Sequence, residues 1–213
     1  MQWQQFYPRF LLQQAEPHQR LLPAQARASA VLVLLREGTE GLEVLLTERA
    51  AHLKHHPGQI SFPGGRLEEG ESSWQAAVRE SFEEAGVLER NIKALGQLPD
   101  YVTGTGFFIS PHLALLTNDQ PLVLQADEVA SAFWLPLAAL TAPGALYSEL
   151  RQFGPVLHRL YYFPYQHKLI WGATAAVLVN LLQHTTFLAT PPNAVINTDQ
   201  LQSGLQCWWL WLE

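Results

Sequence analysis

The segment Gly65 to Val87, GRLEEGESSWQAAVRESFEEAGV, constrains this chain more than any other. Ser72 or Ser73 offers a side-chain oxygen to cap a helix, and Gly86 supplies the left-handed residue that ends one. At about 100° per residue, Glu80, Glu83 and Glu84 then share one helix face, within an arc of roughly 100°. Trp74, Val78, Phe82 and Ala85 gather on the opposite face, with Ser81 at its edge. The expectation is a helix over 72–85 that buries this apolar face against a sheet. Ala76 and Ala77 lie toward the acidic side, where small side chains are expected to let a phosphate chain approach.

Three carboxylates on one face repel one another by about a few tenths of a kcal/mol per pair. A hard divalent cation reverses that cost, because Mg²⁺ and Mn²⁺ favour carboxylate oxygens and leave room for water and phosphate. Three glutamates alone read first as a solvated acidic face, so the flanking residues decide.

Around this helix the chain alternates short apolar runs with breakers. Phe6–Gln14 reads as a short amphipathic helix, and Ala28–Leu35 as a buried strand paired in a hairpin with Leu42–Arg49. Gln59–Phe62 is a short extended piece before Pro63-Gly64-Gly65. Leu95–Val102, Phe107–Leu116, Ala132–Leu135 and Leu157–Phe163 read as further strands. Pro136–Leu140 starts a helix, and Gly172–His184 forms a closing one. The expected fold class is α+β, an α/β/α sandwich with a mixed β-sheet flanked by helices. The expected organisation is an N-terminal extension over residues 1–27, one domain over 28–185, and an aromatic-rich extension over 186–213. The Cys207–Leu212 run in that last segment is expected to pack on the domain, with a homodimer interface as the competing reading.

Composition narrows the function. With 48% hydrophobic and 15% charged residues, the chain of 213 residues is expected to bury a substantial core. A net charge of -6 argues against broad nucleic-acid binding. No apolar run of ~18 residues is present to span a membrane. The single Cys207 excludes an intramolecular disulfide, which fits a reducing compartment, and the expected location is cytoplasmic.

The pattern Gly65, Glu71, Arg79-Glu80, Glu83-Glu84, Gly86-Val87 resembles the Nudix box, and the chain is identified as a member of that superfamily. One position departs, with Ser81 where an aliphatic residue is usual. The resemblance implies a hydrolase of nucleoside diphosphates linked to another group, using Mg²⁺ or Mn²⁺. By position it makes Glu80, Glu83 and Glu84 metal ligands, with Glu71 in the loop or the outer metal shell. Arg79 would orient a glutamate, and Gly65 and Gly86 would take special backbone positions. Glu128, ahead of Phe133-Trp134-Leu135-Pro136, is the candidate base, the plain alternative being an exposed loop residue.

A second pattern, LLTERAAHLKHHPGQISFPGG over Leu45–Gly65, is similar to the segment that marks the coenzyme A pyrophosphatase branch of this superfamily. It departs at Lys54, where arginine is usual; lysine keeps the charge and loses the planar fork. The resemblance places Arg49, Lys54, Gly64 and Gly65 at the substrate, and makes the partner a small molecule, coenzyme A or a relative. YVTGTGFFISP and YQHKLIWGA resemble later blocks of the same branch. His52, His55 and His56 do not have a convincing zinc spacing. Alternatives are a Nudix enzyme for ADP-ribose, a nucleotide sugar or NADH, and a ligand sensor on the same fold without turnover.

Overall fold

The computed structural model describes residues 1–13, 26–153 and 156–186. The elements in chain order are α1 Trp3–Gln13, β1 Arg27–Gly38, β2 Gly41–Arg49, β3 Ile60–Ser61, β4 Gly64–Arg66 and α2 Ser73–Ala85. Then follow β5 Ile92–Gln97, β6 Tyr101–Val102, β7 Phe107–Leu116, β8 Val129–Pro136 and the single turn α3 Leu137–Leu140. The described chain ends with β9 Tyr147–Phe153, β10 Val156–Tyr165, β11 Lys168–Trp171 and α4 Gly172–Thr186.

Beta-branched and leucine residues fill β1 without alternation, as a strand covered on both faces requires. Ala30, Leu32 and Leu34 pack on the side of α2, with Ala76, Ala77 and Ala85. Val33 and Leu35 point the other way, into a cluster with Phe6 and Phe10 of α1 and Val177, Leu178 and Leu181 of α4. The period of two along one strand thus builds two cores and three layers, an α+β architecture.

The larger sheet runs β3-β2-β1-β7-β5, with β4 added to β1, β6 to β7 and β8 to β2. It is mixed, because β1 and β7 are parallel while the β1–β2 hairpin and the remaining pairs are antiparallel. A second sheet, β11-β10-β9, stands apart from it. Lys168 of β11 docks this sheet by an ion pair to Glu48 of β2, which also accepts a hydrogen bond from Ser131 at 2.9 Å. Tyr165 stacks on Phe133 beside that link.

The hairpin, β7 and α2 follow the expected ranges. The expected strand over Leu95–Val102 is two strands instead. Pro99 has no N–H to give a ladder, and the chain leaves β7 there before rejoining it at Tyr101. Strands β9 and β11 were not anticipated. The expected N-terminal helix is present, and Phe6 and Phe10 are fully buried. The Cys207–Leu212 run lies outside the described residues. No helix among the described residues is long and apolar enough to cross a membrane.

Candidate active site

The helix α2 is fixed at both ends. Ser72 accepts the Gln75 N–H at 3.3 Å, and the Gln75 side chain accepts the Ser72 N–H at 2.9 Å, closing a capping box. Gly86 takes φ 68° and gives its N–H to Phe82 O at 2.8 Å. A side chain is disfavoured in that conformation.

The face that α2 buries includes Val78 and Ala85, as expected, but is turned away from Phe82. Phe82 is 54% exposed, whereas Ala76, Ala77, Ser81 and Ala85 are completely buried. Ala76 and Ala77 are therefore core residues, not openings toward a substrate. Their size lets α2 approach β1 closely, which brings the Glu80 and Glu84 side to the sheet as well. Ser81 sits inside this contact rather than at an edge. Its hydroxyl donates to Ala77 O at 2.6 Å, which satisfies a polar group in an apolar surrounding.

Arg79 organises the acidic cluster. Its Nε and Nη2 reach the two oxygens of Glu71 at 2.9 and 3.1 Å, a two-pronged pairing. Nη1 donates to Glu80 Oε1 and Glu83 Oε2, each at 3.0 Å, and Nη2 to Arg66 O at 3.1 Å. Glu71 also accepts the Glu68 N–H at 3.0 Å, so the loop before α2 is tied into the same array. The Arg79 bond holds the Glu71 carboxyl below its ordinary range, and the pairing with Glu71 holds the Arg79 guanidinium charged.

Burial governs the other two carboxylates. Removal from water raises the Glu80 pKa against the opposing pull of Arg79, and Glu83 and Glu128 add to the rise. Glu84 is 4% exposed, and its Oε2 has no hydrogen-bond partner. Burial first, and the charge of Glu80 second, push its carboxyl up to about 8, with Arg49 and the Gly64 N–H opposing. A buried, orphaned carboxylate oxygen beside two other carboxylates is a donor in want of a cation.

Gly65 forms the opposing wall. A Cβ placed there would fall on the Glu80 carboxylate, so only glycine lets β4 pass this close. Glu128 lies in the same field, since it raises the pKa of both Glu80 and Glu84, and its carbonyl accepts the Ala50 N–H at 2.8 Å. Arg49 stands near Glu84, whereas Lys54 is exposed at the rim of a neighbouring cavity. The structure thus links Glu71, Arg79, Glu80, Glu83, Glu84, Glu128, Arg49, Gly64 and Gly65 along one side of α2, and sets Lys54 at the cavity rim. Among the described residues, no three acidic or histidine side chains converge as a closed metal cage. Arg79 holds Glu80 and Glu83, and the exposed Glu83 would have to turn from it to join Glu84. The all-oxygen donor set and the orphaned Glu84 Oε2 suit a hard divalent ion.

Gly64 and Gly65 also line a cavity of about 1010 Å³, bounded by Lys54, His55 and His56 on one side and by the inner face of β9, β10 and β11 on another. Of this second wall, Leu169, Trp171, Gly172 and Ala173 belong to the YQHKLIWGA block, whereas Glu149, Arg151 and His158 were missed in the sequence.

Fold and site together define a three-layer α+β protein whose partly buried acidic helix face abuts a large cavity with cationic side chains. Comparison with known proteins makes the class specific. The NUDIX domain model matches residues 26–157. The chain is 35% identical over 159 residues to an uncharacterized Nudix hydrolase, NudL, of Cronobacter sakazakii, spanning 74% of this chain and 81% of that protein. The same identity holds over 180 residues with the NudL of Photorhabdus laumondii, spanning 84% and 95%. Among solved structures, the C. elegans Ap4A hydrolase binary complex is 27% identical, with TM-score 0.46, over 55% of this chain and 87% of that one.

The chain belongs to the Nudix family. It is a hydrolase of a nucleoside diphosphate derivative, in a family that generally uses divalent metals such as Mg²⁺ or Mn²⁺.

Proposed function

We propose that the protein cleaves the diphosphate of coenzyme A, or of an acylated or oxidised form, with water to give 3′,5′-ADP and 4′-phosphopantetheine or its derivative. The observation that carries this reading is the course of the Arg49–Gly65 segment. It runs from Arg49, beside Glu84, past Lys54 on the cavity rim, to Gly65 against Glu80. One continuous stretch therefore joins the acidic helix to a cavity at the upper end of the volumes usual for ligand sites. That size suits a substrate longer than a nucleoside diphosphate.

In this reading Glu80, Glu83 and Glu84 would hold the divalent cation. The bound metal would neutralise charge on the diphosphate oxygens and acidify the attacking water. Arg79 sets the direction of Glu80 and Glu83, and Glu71 anchors Arg79. Glu128 accepts the proton of the attacking water at its carboxylate. Arg49 and Lys54 offset the negative charge of the substrate, and the glycines at 64 and 65 let its phosphates pass close to the backbone.

The test is product analysis by chromatography. The protein is incubated with coenzyme A, ADP-ribose, NADH and nucleoside triphosphates, in Mg²⁺ and separately in Mn²⁺. Metal-dependent release of 3′,5′-ADP from coenzyme A in preference to cleavage of the others is the expected result. Preferential turnover of another diphosphate would discard coenzyme A and keep the helix assignment. Metal binding without turnover of any of them would favour a sensor.

A further inference from the structure

The second sheet turns a distinct set of side chains toward the cavity. Residues alternate faces along a strand, and Glu149 and Arg151 of β9, His158 and Tyr162 of β10, and Trp171 of β11 all line it. Register makes this a patterned wall. His158 lies directly opposite Arg151, and Tyr162 directly opposite Trp171. The Tyr162 and Trp171 rings are nearly parallel, 7° apart, with centroids separated by 6.4 Å. One end of the wall is therefore basic and the other aromatic.

The basic end is held in place. The Tyr162 hydroxyl donates to Glu149 Oε1 at 2.5 Å, and the same oxygen receives Arg151 Nη2 at 3.2 Å. The carboxylate is fixed by one donor and in turn orients the guanidinium. An arginine carries five N–H donors in a rigid fork, and this ion pair engages one nitrogen. A guanidinium oriented by a neighbour, with an imidazole across from it, matches the tetrahedral oxygens of a phosphate.

This wall and the Gly64–Gly65 wall bound one cavity, so a molecule whose diphosphate lies at Gly65 has its other end within reach of β9 and β10. We infer that Arg151 and His158 bind a phosphate monoester carried by the substrate apart from the diphosphate that is cleaved, and so select substrates bearing that group. The inference rests on the coenzyme A reading, whose 3′-phosphate is such a group, and it adds the residues that would read it.

The test compares coenzyme A with the same molecule lacking its 3′-phosphate. Initial rates are measured for the wild type, Arg151→Gln and His158→Gln, with thermal melts run beside them. The wild type is expected to prefer coenzyme A in kcat/KM. Arg151→Gln is expected to lower the ratio of the two kcat/KM values by about tenfold or more, chiefly through KM for coenzyme A, and His158→Gln to lower it in the same direction. A ratio that survives both substitutions, with the two activities falling together or neither falling, overturns the inference and leaves the coenzyme A reading standing. A wild type without preference also overturns it. A wild type that cleaves neither molecule removes the coenzyme A reading, and this inference with it.

Discussion

Replacing Glu84 by glutamine, in protein stripped of divalent cations, measures the charge strain stored against the sheet. Glu84 is 4% exposed, with one orphaned oxygen, and burial pushes its carboxyl from the ordinary 4.5 up to about 8. The native state therefore binds a proton over a pH range where the unfolded chain has released it. The Glu84 contribution to stability is greatest below pH 4.5 and falls as pH rises toward 8, because at this group the native state binds more protons than the unfolded one. At ~1.4 kcal/mol per pH unit, this interval sets an upper bound of about 5 kcal/mol, and relaxation and water entry reduce it to a few. Glutamine has no proton to lose. Glu84→Gln is expected to stabilise the chelated protein at pH 8.5 by a few kcal/mol, a melting shift of roughly 10 °C, and to show little gain at pH 4.5. The assay is thermal and urea unfolding in EDTA across that range. Mg²⁺ or Mn²⁺ should restore wild-type stability at the alkaline end by binding the native state, and should do less for the variant. A Glu84→Gln gain over wild type that does not grow from pH 4.5 to 8.5, or a Glu84→Gln protein destabilised equally throughout, would refute the reasoning.

Other substitutions probe other parts of the account. Arg79→Lys keeps the charge but loses the fork that holds Glu71, Glu80 and Glu83 together; kcat should fall about 10–100-fold in steady-state assays, with the fold retained. Gly65→Ala puts a methyl group onto the Glu80 carboxylate; denaturant titration should show a loss of about 1–3 kcal/mol, with activity reduced as well. Phe82→Gln should change stability by no more than about 0.5 kcal/mol, since the ring is exposed, whereas a buried phenylalanine would cost several times that.

Local signals told most where one rule was unopposed. The apolar run of β7 lies between a glycine turn and polar residues, and its limits could be read directly. So could α2, bounded by a Ser72 cap and the Gly86 stop. The rotation of α2 about its own axis was not legible. A helical wheel places Phe82 inside because phenylalanine is apolar, but the fully buried positions of α2 are the small residues Ala76, Ala77, Ser81 and Ala85. Close approach outweighs hydrophobicity, and it brings Glu84 into the interior. The register of box residues located the acidic cluster, yet gave no hint that Arg79 would hold three glutamates at once. Strand β9 was hidden by its charged and polar residues, and β11 by its length. The cavity wall they complete joins residues distant in sequence, and of it only the YQHKLIWGA block was marked by a local pattern.

The central claim is that the α2 carboxylates support cleavage of coenzyme A at its diphosphate. The most direct measurement is the rate of 3′,5′-ADP release from coenzyme A at saturating Mg²⁺ by wild type and Glu83→Gln. The Glu83 side chain is about half exposed, so glutamine should leave the melting temperature nearly intact. The account predicts metal-dependent release by the wild type and a loss of at least about 100-fold in kcat for the variant. Equal rates in the two proteins, or wild-type release that persists in EDTA, would contradict it.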